Sequence, residues 1–94
     1  MTLINKEEKL KKLIAKAQEG KAFIGKEATL KALRGNKIKI VFLARNCPAA
    51  LQQELKQYAG LAKVIVVELD QTNEEIGVLC KKNFFISVAG IAEE

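Results

Sequence analysis

The run Ile38-Lys39-Ile40-Val41-Phe42-Leu43-Ala44 constrains this chain more than any other stretch. It has strand length and almost no polar interruption, so it reads as a strand buried on both faces. It breaks off at a polar corner, Arg45-Asn46, and Cys47-Pro48 follows, with a proline that can open a helix. A strand covered on both sides needs other elements above and below its sheet, which points to a layered α/β fold. In such folds the loop leaving a central strand is a favoured place for a binding residue. Asn46, with Arg45 beside it, is therefore the first candidate.

The flanking sequence supplies the layers. Asn5 and Glu8 have capping-box spacing for a first helix, and Leu10, Leu13, Ile14 and Ala17 recur along one face of it. Lys6, Lys9, Lys12 and Lys16 form an adjoining stripe, most simply a solvated face, and Gly20 ends the helix. Ala22-Phe23-Ile24 predicts a short strand, and Lys26 to Arg34 a second helix with Ala28, Ala32 and Leu33 inward. Gly25 lies between them, where a missing Cβ lets another backbone approach the free N–H groups of a helix start, which favour anions. Gly35-Asn36 stops that helix. Pro48 starts a third, burying Leu51, Leu55, Tyr58, Ala59 and Ala62, and Lys63 to Glu68 reads as a second long strand. Thr72 and Glu75 make another capping box, for a fourth helix with Ile76, Leu79 and Cys80 inward and Gly77 permitting close packing. Phe84 to Ala89 predicts the last strand. Alternating helices and strands make residues 1–94 one domain, a three-layer α/β/α sandwich with a four-stranded mixed sheet and helices on both faces.

Charge distribution bears on function. Residues 1–47 carry twelve Lys or Arg against four Asp or Glu, and residues 48–94 carry four against seven. From Lys21 to Arg45 seven basic side chains face one acid, Glu27. Such asymmetry points to a polyanion held against one face. Catalytic chemistry has little to work with. There is no histidine to act as a base near neutral pH, and no glycine-rich phosphate loop follows a strand. Two cysteines without a CxxC motif read as buried thiols, and neither a metal nor a cofactor is implied. The apolar runs are too short to span a membrane, and no signal peptide is legible, so an intracellular, soluble protein is expected.

Several segments carry a likeness in register. Gly25, then Thr29-Leu30-Lys31-Ala32-Leu33-Arg34-Gly35, Lys39-Ile40-Val41, Ala44-Arg45-Asn46-Cys47-Pro48, Tyr58-Ala59, Thr72-Asn73-Glu74-Glu75-Ile76-Gly77 and Cys80-Lys81-Lys82-Asn83-Phe84 resemble the ribosomal L-thirty-e family. The likeness runs from about residue 8 to 91. It implies a cytoplasmic, non-enzymatic protein of the large ribosomal subunit, bound to ribosomal RNA rather than DNA and set among neighbouring ribosomal proteins. The wider group, with the L-seven-Ae proteins, recognises kink-turns, RNA helices bent sharply at an internal loop. By that resemblance Gly25 brings backbone near the RNA with Lys26 beside it, and Lys31 and Arg45 supply cations. Asn46 hydrogen-bonds a base edge or sugar, while Phe84 and Ile86 give an apolar surface for an unstacked base.

The match has departures. Glu27 stands where the family usually has lysine, and Leu51 where some relatives place a base-contacting arginine. The chain stops at Glu94, where relatives commonly continue, so weaker affinity in isolation is expected. An RNA-guided modification particle of the L-seven-Ae type is the alternative assignment. A small-ligand domain and a protein adaptor are the readings from other classes.

Overall fold

At the centre of the computed structural model, which describes residues 6–92, strand β2 (Ile40–Leu43) has all four side chains fully inaccessible. Successive side chains of a strand point to opposite faces, so four buried in a row means that the sheet is covered on both. The resemblance to a layered sandwich is borne out. Strand β3 (Ile65–Glu68) pairs parallel to β2, with Ile40 opposite Ile65 and Leu43 opposite Glu68. Strand β4 (Val88–Ile91) pairs antiparallel on the other side, Leu43 opposite Val88, and carries the two-residue edge strand β1 (Phe23–Ile24). The mixed sheet thus has the order β1-β4-β2-β3.

Four helices cover it: α1 (Lys6–Gln18), α2 (Lys26–Arg34), α3 (Ala49–Ala62) and α4 (Asn73–Leu79). A parallel strand pair cannot be closed by a tight turn, and α3 makes the crossover from β2 to β3. Helices α2 and α3 pack on each other; α2 also lies against β1 and β4, and α1 against β3 and β4. The predicted inward stripe of α1 is in the core, with Leu10, Leu13 and Ala17 buried and Ile14 packed at its edge. The Asn5 cap predicted for this helix lies outside the described residues. From α2 come Leu30, Ala32 and Leu33, and also Thr29, whose buried hydroxyl donates to the Phe23 carbonyl at 3.4 Å and ties helix to edge strand. Each fully buried Leu, Ile or Phe contributes roughly 1.5–3 kcal/mol through removal from water.

The structure moves several predicted boundaries. The last strand begins at Val88 rather than Phe84, because β2 and β1 offer ladder partners only from Val88 onward. Residues Phe84 and Phe85 are instead in the preceding loop, both exposed. Pro48 caps α3 from outside in an extended conformation (φ −56°, ψ 139°) and the helix starts at Ala49. Leu79, predicted inward, is 39% exposed, since α4 ends there and only Ile76 and Cys80 of that trio reach the core. Leu51 and Tyr58 are half-buried at the core margin.

The capping box of α4 is present as predicted: the Thr72 hydroxyl accepts from Glu75 N at 3.3 Å and the Glu75 carboxylate from Thr72 N at 3.0 Å. Gly77 does permit close packing. A Cβ there would collide with the Phe84 carbonyl oxygen, and Gly77 O in turn accepts from Lys82 N at 2.9 Å. The obstacle is backbone, which cannot swing aside as a side chain can. Gly77→Ala is expected to lower unfolding free energy by about 1–3 kcal/mol, measured by urea denaturation, despite the better helix propensity of alanine.

Candidate functional site

Loops from four parts of the chain meet at the end of the sheet where β2 stops. Gly25 N donates to Val88 O at 2.9 Å, Ala44 N to Ser87 O at 2.9 Å and Arg45 N to Gln71 O at 2.8 Å. Backbone bonds therefore lock residues 25, 44–45, 71 and 87–88 into one rim. Asn46 sits on it, exposed, and its amide is held from both ends. Oδ1 accepts from Asn73 N at 2.8 Å, and Nδ2 donates to Asn73 Oδ1 at 3.1 Å. Asn73 Nδ2 donates onward to Ser87 Oγ at 3.2 Å, and Asn73 O accepts from Ile86 N at 3.0 Å. The Asn73 N–H can only donate, which fixes which end of the Asn46 amide is oxygen. After these bonds Asn46 keeps one N–H and one acceptor lone pair for a partner.

Gly25 has φ +95° and ψ 165°, a conformation that side chains disfavour, and the space beyond its Cα is open. It is the N-cap of α2 and provides no side-chain bond, so the first-turn N–H groups lack a side-chain cap. Lys26 is exposed next to it and lies 3.8 Å from Glu54 of α3, a weak surface pair that a phosphate can replace. Lys31 is not on the rim. Six residues along α2 correspond to about 9 Å of rise, and Lys31 lines a shallow groove with Phe23, Ala28 and Lys37.

Hydrogen bonds from the Thr72 backbone and hydroxyl hold the Glu75 carboxyl below the usual carboxylate range, and the exposed Arg45 adds to this. Phe84 is 49% exposed, two residues before the segment that Asn73 holds. Ile86, expected to offer an apolar surface, is corrected: the residue is 1% exposed and belongs to the core, so it presents no surface to a partner. Sequence reasoning missed Asn73 and Ser87 as the residues that orient Asn46. The capping box located Asn73, and Ser87 fell within the predicted last strand, but nothing local showed that either meets the β2 corner.

Among the described residues no group of three His, Cys, Asp or Glu is placed to hold a metal, and no helix is long and apolar enough to cross a membrane. Cys47 and Cys80 are free and buried, and burial pushes both thiols up, away from the reactive thiolate.

Fold and rim together define an α/β domain that displays a rigid asparagine, an open helix start and an exposed aromatic at one end of its sheet. The chain belongs to the Ribosomal protein L7Ae/L30e/S12e/Gadd45 family, whose sequence signature matches residues 8–94. It is 34% identical over 82 residues to the large ribosomal subunit protein eL30 of Tetrahymena thermophila, covering 87% of this chain and 79% of that one. Among solved structures, a 15.5kD RNA binding protein of Giardia lamblia superposes with a TM-score of 0.83 at 20% identity, covering 100% of this chain and 81% of the other. A protein of unknown function from Bacillus halodurans does so at 0.81 and 19%, covering 89% and 83%. These two likenesses concern the fold.

Because the Glu75 carboxyl is held low, the capping contribution is complete above the ordinary carboxylate pKa and is lost as pH falls through the lowered value. Amide exchange at Thr72 and Glu75, corrected for intrinsic pH dependence, is expected to lose protection on acidification while β2 amides keep theirs.

Proposed function

We propose that this chain is a structural protein of the large ribosomal subunit, in the cytoplasm, that binds ribosomal RNA at a kink-turn and acts by binding alone. The observation that carries the reading is the Asn46 amide, fixed by Asn73 and Ser87 on a rim that also includes Gly25. Pre-ordering removes the entropy cost of orienting that amide when a base edge or sugar arrives. The open N-terminus of α2 receives phosphate, Lys26 and Arg45 add charge, and Phe84 stacks with an unpaired base. Lys31 follows the RNA backbone away from the rim, and neighbouring ribosomal proteins border the complex. The similarity to a eukaryotic large-subunit protein supports the ribosomal setting.

The purified chain is expected to bind a kink-turn RNA at least tenfold more tightly than a plain duplex of equal length, measured by filter binding at moderate salt. Asn46→Ala should erase most of that preference, with a thermal midpoint lower by only a few degrees for the loss of the Asn73 N–H acceptor. Equal affinity of the unaltered chain for both RNAs would remove the kink-turn. Lys31→Ala should shallow the salt dependence of binding by roughly one phosphate contact while leaving the preference intact; an unchanged slope removes Lys31 from the interface.

A further inference from the structure

Beside Phe84 lies apolar surface that the reading above leaves unused. Phe85 is 67% exposed and Val78 of α4 is 69% exposed. With Phe84, Glu74, Lys82 and Asn83 they line one groove of about 190 Å³ between α4 and the loop that precedes β4. Two adjacent aromatics left in water on a small domain are unusual, and a contiguous apolar patch marks a contact surface. Gly77 sets the groove's position, since only a glycine lets the Phe84 backbone lie against α4. The groove is also continuous with the rim: α4 begins at Asn73, which holds Asn46, and the residue after Phe85 is bonded to Asn73 O.

We propose that this groove takes a second unpaired nucleobase of the same RNA, stacked on Phe85 and flanked by Val78, while Phe84 takes the first. The inference rests on the RNA-binding reading and extends it from one extruded nucleotide to two. The groove's charge orders its occupant. Lys82 supplies a cation for the phosphate and Asn83 an amide for base or sugar. Glu74 repels phosphate and accepts from an exocyclic amine, so its edge of the groove favours adenine, cytosine or guanine over uracil. An apolar protein segment would leave the Lys82 and Glu74 charges beside it without partners, which disfavours that occupant.

The test uses the whole chain and kink-turn RNAs that carry 2-aminopurine at each unpaired loop position in turn. With the unaltered protein, emission is expected to change at two positions. Phe85→Ala should abolish the change at one, weaken binding about tenfold and leave the thermal midpoint in place, since its ring is mostly exposed. Phe85→Trp should restore both signal and affinity, whereas Phe85→Leu, apolar without a ring face, should not. Replacing that nucleotide by an abasic linker should make the unaltered chain and Phe85→Ala bind alike. If Phe85→Ala keeps both signals and full affinity, the groove holds no base and the inference falls while the single-base reading stands. If it weakens binding equally with and without the abasic linker, base stacking is excluded. If the unaltered chain does not prefer the kink-turn, both readings fall together.

Discussion

Strand β2 is bonded on both sides, in parallel to β3 and antiparallel to β4, and the position of the rim residues follows from that double pairing. A strand with both edges and both faces occupied has no freedom left, so its end is a fixed point in the molecule. Arg45 and Asn46 leave from that point. The β3 register delivers Gln71 and Asn73 to the same end, the β4 register delivers Ser87 and Val88, and β1 hands on Gly25 through Val88. The rim is a product of strand register, because a one-residue slip in either ladder would reverse which face each side chain meets.

The Asn46–Asn73 pair shows how scaffold and site share the same bonds. Asn73 N is the first N–H of a short helix and needs an acceptor, which Asn46 provides across 27 residues of sequence. One interaction therefore satisfies a helix end and orients a candidate binding amide. Thr72 and Glu75 do the corresponding work within α4, and the carboxylate that closes the capping box also stands near Arg45. The rim is accordingly mixed in charge, with the exposed Glu75 carboxylate near Arg45. Recognition of a folded nucleic acid by such a surface relies on placement of a few donors and rings more than on a uniform field.

The sheet also explains why the candidate site lies at this end. Exposed polar loops gather here, while the middle of the domain is an apolar core that includes Cys47 and Cys80 as inert thiols. The aromatics divide between the two roles. Phe42 is fully buried in β2, whereas Phe84 and Phe85 are held out by the close contact at Gly77.

By itself the sequence determined the elements. The apolar run around β2, the glycine stops, the helical stripe of α1 and the Thr72–Glu75 box are local patterns, and local patterns fix local geometry. The order of eight elements and the exposed place of Asn46 after the central strand were legible for that reason. The likeness in register with a known family added Lys26 and Phe84 as candidates beside Gly25, whose place before a helix start was already legible. Only the tertiary structure decided where β4 begins, that Ile86 is buried and Phe85 is not, and that Asn73 and Ser87 hold Asn46. Those depend on which strand pairs with which and in what register. The free energy of such pairings is collected between residues far apart in the chain, where no periodicity within one segment can record it.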